Sequence, residues 1–539
     1  MLRTAVLVLS VCAVAISIEV QTSLGEVRGL RSEEGDYNMF LGVPYALVNE
    51  DDPFGAPIPH PGYAEPVEAY TDNIFCPQIR GGSFTGTLEC LTLNIYVPDT
   101  ADEGPLPVLV WVHGGAWVEG SGHRSLTSPN FLVKHGVIIV TVQYRVGMYG
   151  FLCTDSPKAP GNAGLRDQLL GFRWIKNHIQ SFGGDPDKVT VFAESAGGMS
   201  LHLHLLSHHE KLFERAIIQS GSSSSPWTTV DQHNHVPIEV ARALGFETED
   251  LEEAIDFIGK ANIEDVVNTA ADLRIATAVN NNQPLTKACV EREFEGIERF
   301  VPIHPNIAHS DKVKDMDIMI GYNSEEMIFQ YAGRVEEFYN DFSFRDLLNF
   351  GYNVTGMEQM TTLLRHFYIG DEETTPDLEQ EIVQYGSDFV WAHPTERAIR
   401  LFLEDEVRVI YQYLFSYEGG RNFLKVNINT TVPGAAHADE LGYLFDMNRF
   451  RDQEDTPEDL RVVDQMTTMW TNFVKYGNPT PEVSDLLPVR WEPLTAERRR
   501  YLNIDKDLTL GTRPFHDRVA FWDLFYETNR QQADGFSTL

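Results

Sequence analysis

The sequence predicts an α/β fold with a mostly parallel central sheet and helices on both of its faces. Strand-like and helix-like segments alternate along the chain, which is the pattern of sheets built from strand–helix–strand units. An apolar strand also runs directly into a helix within residues 188–198. The 539 residues are 42% hydrophobic, enough for a large core, and contain no linker, repeat or low-complexity tract. We therefore expect one large domain over residues 18–539.

Individual elements follow from the spacing of apolar residues. Residues 137–142 and 407–414 are apolar, β-branched runs of strand length. One helix is predicted from apolar positions at helical spacing, namely Leu169, Phe172, Ile175 and Ile179, and it ends before Gly183. A second is predicted from Val462, Met466, Met469 and Phe473, and it stops at Gly477 and Pro479.

A serine stands at the sharp strand-to-helix corner. Residues 191–198 read Val-Phe-Ala-Glu-Ser-Ala-Gly-Gly, and the small residues Ala193 and Gly197 leave room for a tight turn around Ser195. The amide of Ala196, at the helix start, can face a developing oxyanion. The usual form of this motif is Gly-x-Ser-x-Gly, and Ala193 replaces its first glycine. An ordinary strand-to-helix turn explains the corner alone equally well.

Two further elements favour a nucleophilic site. The apolar strand within residues 107–112 leads into Gly114 and Gly115, whose amides no side chain shields, as in loops that form an oxyanion hole. His437 lies in a loop of small residues that precedes an amphipathic stretch. A lone loop histidine is more often solvated, but here a candidate nucleophile accompanies it.

The remaining element is an acid. Residues 317–321 read as a strand, and a carboxylate just beyond a strand end is where the acid of a triad belongs. Both Glu325 and Glu326 meet this condition, and composition does not choose between them. The order serine, acidic residue, histidine along the chain is the order of α/β-hydrolases.

With these motifs the chain resembles the type-B carboxylesterases of the carboxylesterase/cholinesterase family, and most of all the secreted insect carboxylesterases. Further matches to family signatures lie at residues 40–45, 88–95, 144–151, 160–168, 182–186, 219–221 and 472–479. The resemblance covers nearly the whole chain after the first 17 residues. It implies an α/β-hydrolase fold and a serine carboxylesterase that acts on small-molecule carboxylic esters without a cofactor.

The resemblance also assigns site residues. The family's acid is the glutamate in the fifth position after the strand-end glycine, which is Glu326 when counted from Gly321. The oxyanion donors correspond to Gly114, Gly115 and Ala196.

Three more positions correspond to the family's surroundings of the triad. Glu194 and Ser220 match residues that support the triad, and Trp227 matches a wall of the acyl pocket. An ordinary core aromatic is an equal interpretation of Trp227. The chain departs from the family pattern at Met327, where a small residue is usual.

The cysteines indicate an oxidising compartment. The resemblance implies a disulfide between Cys76 and Cys90, a loop closure worth roughly 3 kcal/mol. That loop lacks the tryptophan with which cholinesterases bind choline, which argues against acetylcholine as the substrate. Cys12 falls in the predicted export signal. Cys153 and Cys289 remain, and we interpret them as free buried thiols, with their pairing as the lesser alternative.

The beginning of the chain predicts secretion. Residues 1–17 read as a signal peptide, with a basic residue followed by an apolar run that is too short to span a bilayer. No later segment is apolar enough to span a membrane, so we expect an extracellular protein without membrane insertion. Asn353 and Asn429 begin glycosylation sequons.

Charge and histidine spacing exclude other classes. With 42 basic and 79 acidic residues the formal charge is −37, which disfavours nucleic acids and anionic membranes as partners. His204 and His208 share helical spacing but lack the glutamate of a zinc protease motif, so no metal is expected. No phosphate-binding glycine loop is present, and the sequence carries no signal for oligomeric state.

The sequence therefore predicts a secreted serine carboxylesterase that works through an acyl-enzyme intermediate and clears odorant or pheromone acetates or xenobiotic esters. A slow-turnover scavenger of esters or organophosphates is an alternative, since the same residues serve both. A non-catalytic, neuroligin-like adhesion protein is another, although such relatives usually lose triad residues and carry a membrane segment.

Overall fold

A long mixed β-sheet runs through the protein, for which a computed structural model describes residues 17–100, 104–276, 284–353 and 358–533. In chain order its strands are β1 (Ser17–Thr22), β2 (Gly25–Arg31), β3 (Tyr37–Pro44), β4 (Thr92–Pro98), β5 (Leu106–Val112), β6 (Ile138–Val142), β7 (Gly184–Glu194), β8 (Arg215–Gln219), β9 (Asp317–Asn323), β10 (Val409–Phe415), β11 (Arg500–Ile504) and β12 (Thr509–Thr512). Their order across the sheet is β1-β2-β3-β4-β6-β5-β7-β8-β9-β10-β11-β12, and the short strand Val67–Glu68 pairs with β2.

The middle of the sheet is parallel. Neighbouring strands run in the same direction from β6 through β5, β7, β8, β9 and β10 to β11. The strands at the two margins pair antiparallel. The predicted α/β class with a mostly parallel sheet is confirmed, and the carboxyl ends of β7 to β10 meet along one edge.

Both faces of the parallel strands are buried. In β5, Val110 and Val112 belong to one hydrophobic cluster while Leu109 and Trp111 belong to the cluster on the other face. The Trp111 ring contacts Phe192 of β7, with ring centroids 4.7 Å apart. A strand buried on both faces reads as a continuous apolar run, which is why β5 was recognisable from sequence.

Several helices cover these faces, and others pack among themselves in a separate cluster. In the described part of the chain they are α1 (Arg124–Thr127), α2 (Asn130–Val133), α3 (Gly147–Phe151), α4 (Ala163–His178), α5 (Ala196–Leu206), α6 (His235–Ala243), α7 (Leu251–Lys260), α8 (Ile263–Asp272), α9 (Ile328–Tyr331), α10 (Glu336–Asn340), α11 (Phe344–Leu348), α12 (Glu358–Ile369), α13 (Glu379–Ser387), α14 (His393–Glu404), α15 (Leu441–Leu444), α16 (Pro457–Tyr476) and α17 (His516–Thr528). One turn of π-helix, Asp388–Ala392, joins α13 to α14.

The predicted elements lie where expected. The strands expected at residues 137–142 and 407–414 are β6 and β10, each within two residues of the predicted bounds. The helix predicted around Phe172 is α4, whose last predicted position, Ile179, falls in a following 3₁₀ turn. The helix predicted around Met466 is α16, which begins with a capping box at Thr456 and ends at Gly477 with φ 67°.

The structure bears on the prediction about membrane spanning but not on the one about export. Among the described residues, no helix combines the length and the apolar character needed to cross a bilayer. The export signal predicted for residues 1–17 lies, apart from its last residue, outside the described residues.

In the part of the chain that the structure describes, two disulfides connect loops. One joins Cys76 to Cys90, the pair that the resemblance implies, with Cα atoms 5.0 Å apart. The other joins Cys153 to Cys289, with Cα atoms 6.6 Å apart, so the interpretation of these two residues as free thiols is wrong.

The reason for the second pairing is a long-range contact that the sequence does not display. Asn162, at the start of α4, exchanges two hydrogen bonds with the backbone of Cys289, at 2.9 and 3.1 Å. Gly161 has φ 98°, and a Cβ there would stand 2.5 Å from the Cys289 sulfur and 3.0 Å from the Cys153 sulfur. A glycine therefore leaves the space in which the two sulfurs meet.

The second disulfide gives a direct test. It links residues 136 positions apart, and replacing both cysteines by alanine should cost about 2–5 kcal/mol of stability and lower the thermal midpoint. Peptide mapping of the unreduced protein should yield a Cys153–Cys289 linked peptide. Recovery of both cysteines as alkylated free thiols would contradict the pairing.

Candidate active site

Ser195 stands at the corner between β7 and α5. Its backbone has φ 58° and ψ −128°, a strained conformation for a residue with a side chain. The turn is tight, since a Cβ on Gly197 would come within 2.4 Å of the Val112 carbonyl oxygen. Ala193 is fully buried and fits the position that is usually glycine. The corner places the serine at the carboxyl edge of the parallel strands.

Two other predicted residues meet the serine at this edge. His437 Nε2 lies 2.8 Å from Ser195 Oγ, and His437 Nδ1 lies 2.7 Å from Glu326 Oε2. The amide of His437 also donates to the Glu326 carbonyl, at 3.0 Å. Glu326 is completely buried and His437 is 6% exposed. The structure thus brings together the serine, histidine and acid that the sequence predicts.

The second oxygen of Glu326 is held in place as well. The Ser220 hydroxyl and the backbone amide of Asn323 each donate to Glu326 Oε1, both at 2.7 Å. Ser220 follows β8 and Asn323 ends β9, so neighbouring strands fix the carboxylate. With both oxygens bonded, the carboxylate is fixed in its orientation toward the imidazole.

Glu325 points elsewhere, which resolves the choice left open by composition. Among the described residues, its carboxyl accepts a 3.4 Å hydrogen bond from Gln384, and burial raises the pKa of Glu325 to about 8. Met327 is also accommodated, because its amide donates to Ser387 Oγ at 3.0 Å and its sulfur lies 3.4 Å from the Trp391 indole nitrogen. Of these two adjacent glutamates, Glu326 is therefore the one whose carboxylate contacts His437.

Two more buried carboxyls surround the histidine. Glu194 Oε1 lies 3.0 Å from His437 Nε2, and burial raises the pKa of Glu194 to about 8 against the lowering effect of His437. Burial likewise raises the pKa of Glu440 to about 7, while donors from Gln219 and Asn323 oppose it. Burial alone would lower the pKa of His437, but the charges of Glu194 and Glu326 outweigh it and raise that pKa to about 9.

The loop after β5 supplies amides beside the serine. Gly115 and Ala116, with φ 105° and 53°, line the same cavity as Ser195 and Ala196. Gly114 instead lies behind the serine, where a Cβ would stand 2.8 Å from the Ser195 Cβ, and it lines a neighbouring cavity of about 230 Å³. Sequence reasoning missed Ala116, because a positive φ at an alanine leaves no trace in the residue type.

The His113 side chain steadies this loop. Its Nδ1 donates to the Gly114 carbonyl at 2.8 Å, and the Tyr144 hydroxyl donates to the His113 carbonyl at 2.7 Å. Burial lowers the pKa of His113 to about 4, so the ring stays neutral and keeps one tautomer.

The cavity at the serine is large and mainly apolar. It has a volume of about 590 Å³, within the range of small-molecule sites. Trp227 lines it and meets Trp391 edge to face, with centroids 5.8 Å apart. Trp391 in turn stacks on the His437 ring at 4.2 Å, and Phe329 lies 5.3 Å from the same ring. Trp391 lies far from the motifs in sequence and Phe329 lies three residues after Glu326, and neither was predicted.

Comparison with known proteins agrees with this geometry. The family model described as "Carboxylesterase family" matches residues 16–522. The chain belongs to the carboxylesterase family. Esterase B1 of Culex pipiens is 30% identical over 548 residues, which cover 95% of this chain and 98% of that protein. Bile salt-activated lipase of Rattus norvegicus is 31% identical, covering 94% and 85%, and venom carboxylesterase-6 of Apis mellifera is 28% identical, covering 86% of each.

Membership of the carboxylesterase family establishes the α/β-hydrolase fold and the class of reaction. The protein is a carboxylic ester hydrolase, and its substrates are small-molecule esters. The predicted family is confirmed over nearly the whole chain.

The histidines considered for metal binding lie outside this site. His204 is buried and bonds Gln168 at 3.0 Å, whereas His208 faces the surface and lies 3.0 Å from Glu298. Among the described residues, His208, His209 and Glu298 offer ligand atoms within 4.8 Å of one another. This group lies beyond the end of α5 and shares no residue with the esterase site.

The predicted sequons have exposed asparagines. Asn353 and Asn429 are both exposed, which a glycan requires. The rest of the first sequon, residues 354–355, lies outside the described residues.

The carboxyls around His437 predict the pH dependence of this esterase. His437 titrates near pH 9, where Glu194, with a pKa of about 8, is ionised. Replacing Glu194 by glutamine removes this negative charge beside Nε2, so the imidazolium loses stabilisation and its pKa falls. The neutral base then persists to lower pH, and the acid limb of kcat/KM should move down by about 1–3 pH units. A pH profile of ester hydrolysis measures the shift.

Glu119→Gln is the matched control, since Glu119 lines the same cavity but is not among the groups that shift the pKa of His437. Its acid limb should coincide with that of the unmodified protein. An unmoved limb in Glu194→Gln, or an equal shift in both variants, would contradict the charge coupling.

Proposed function

We propose that this protein is a secreted serine esterase that hydrolyses carboxylic esters through an acyl-enzyme formed on Ser195. The observation that carries the proposal is the chain of two hydrogen bonds, 2.8 and 2.7 Å long, that joins Ser195 to His437 and His437 to Glu326. Such a chain can remove the hydroxyl proton as the oxygen attacks.

The first half-reaction acylates the serine. Ser195 Oγ attacks the ester carbonyl carbon while His437 Nε2 accepts its proton, and Glu326 stabilises the resulting imidazolium. The imidazolium then donates this proton to the leaving alcohol. In the second half-reaction the oxygen of a water molecule attacks the acyl carbonyl carbon while His437 Nε2 accepts a proton from it. The bond to Ser195 Oγ then breaks, the imidazolium returns the proton to this oxygen, and the carboxylic acid leaves.

The negative oxygen formed in both steps needs hydrogen-bond donors. We assign this role to the amides of Gly115, Ala116 and Ala196, whose residues line the cavity with Ser195. Each such donor is worth roughly 3–4 kcal/mol in the transition state. Gly114, which the sequence also nominated, acts in this proposal as a spacer, because a side chain there would collide with Ser195.

The apolar cavity favours uncharged esters with apolar groups. Trp227 forms part of its wall beside Trp391, which supports the predicted acyl-pocket role of Trp227. A volume of about 590 Å³ accommodates odorant or pheromone acetates and xenobiotic esters of moderate size. We propose these classes as the physiological substrates.

Secretion and domain organisation complete the proposal. The apolar, Arg3-containing segment at residues 1–17 would direct export, and the two disulfides suit an oxidising compartment. Glycans on Asn353 and Asn429 would be compatible with their exposure. Residues 18–539 would act as a single catalytic domain, since residues from several strands of one sheet meet at Ser195.

The test is steady-state hydrolysis of aryl and aliphatic acetates. Ser195→Ala should lower kcat by on the order of 10⁵–10⁶-fold, because the nucleophile is lost. Ser128→Ala is the matched control: it makes the same change at a completely buried serine whose hydroxyl has no hydrogen-bond partner among the described residues.

The outcomes separate the alternatives. Full activity in Ser195→Ala would contradict the acyl-enzyme on Ser195. Release of a single equivalent of alcohol by the unmodified protein, without further turnover, would instead favour the scavenger. Absence of turnover and of any burst in the folded protein would favour the adhesion protein.

A further inference from the structure

A second cavity lies apart from the catalytic one. It has a volume of about 430 Å³ and is formed by the end of α9 together with α10 and α11. The catalytic cavity is lined by Phe329 and Gln330 of α9, whereas this cavity is lined by Tyr331 of the same helix. We call it the α10 groove. No motif of the sequence and no step of ester hydrolysis uses it.

The wall of the α10 groove is aromatic. Tyr331 meets Phe342 edge to face at 5.5 Å, and Phe338 lies 6.1 Å from Phe342. Phe338, Phe342 and Phe350 are only partly buried, so their rings remain accessible. The Arg334 guanidinium lies 6.0 Å from the centre of the Phe338 ring, at the outer limit of a cation–π contact, so a ligand cation meets this positive charge as well as the carboxylates of the groove.

The rim of the groove is acidic. The exposed carboxylates of Glu337, Asp341 and Asp346 line it, and no lysine or arginine is among its described lining residues. A negative net charge alone says little in a chain with a formal charge of −37. The informative feature is that carboxylates and accessible aromatic faces border the same concave space, since this pairing attracts cations that also carry apolar groups.

We propose that the α10 groove binds a small organic cation, an ammonium group attached to an aromatic or short alkyl body. The ammonium contacts the carboxylates at the rim, and the apolar body lies against Phe338 and Phe342. The volume of the groove is sufficient for one such molecule. Binding in this groove does not involve Ser195, so the proposal is tested separately from the proposed function.

Titration calorimetry with phenethylammonium tests the proposal on the full-length protein. We expect saturable binding of one equivalent, weakened by added salt, and much weaker binding of the neutral analogue 2-phenylethanol. Glu337→Gln/Asp341→Asn should weaken binding about tenfold. The control Glu336→Gln/Asp371→Asn makes the same charge change at exposed residues outside the lining and should leave the affinity within about twofold.

A second variant tests the aromatic wall without changing charge. Phe342→Leu should weaken phenethylammonium binding about three- to tenfold, and retained esterase activity shows that the variant is folded. Equal binding of 2-phenylethanol would overturn recognition of a cation. If neither the lining substitutions nor Phe342→Leu reduces the affinity, the cation binds elsewhere and the proposed site is wrong.

Discussion

The rest of the site depends on the buried hydrogen bond between His437 and Glu326. The carboxylate is completely buried, and its other oxygen is bonded by Ser220 and Asn323. Such a fixed, desolvated acceptor orients the imidazole and stabilises its charged form far more than a solvated carboxylate would. The strands β8 and β9 set this position, so the sheet itself determines where the base stands.

Placing several carboxyls around one imidazole has an energetic cost, which the fold offsets locally. Glu194 and Glu440 are buried close to Glu326, and burial raises the pKa of both. Donors from Gln219 and Asn323 satisfy Glu440, while the charge of His437 favours ionised Glu194. Together with the strained backbone at Ser195, this is the kind of locally unfavourable arrangement that functional sites retain.

Much of this arrangement could be predicted from sequence because it is encoded locally. The apolar run of β5, the serine corner and the small-residue loop of His437 are short patterns whose geometry follows from residue size and backbone freedom. The choice of Glu326 over Glu325 required the resemblance, since both residues follow β9 at almost the same distance.

Other features depend on contacts between distant segments. The Cys153–Cys289 disulfide forms because Asn162 and Gly161 bring the two segments together. Trp391 contacts His437 from a turn of π-helix, and no local sequence pattern indicates this turn. The place of Ala116 beside Ser195 depends on its positive φ, a property of the folded loop and not of alanine.

The most direct test of the central claim compares two adjacent glutamates. Glu326→Gln keeps the shape of the acid but removes its charge, and kcat for an aryl acetate should fall on the order of 10⁴-fold. Glu325 carries a pKa raised to about 8 and is largely neutral already at pH 7, so Glu325→Gln should stay within about threefold. A similar loss in both variants, or a larger loss in Glu325→Gln, would contradict the assignment of Glu326 as the partner of His437.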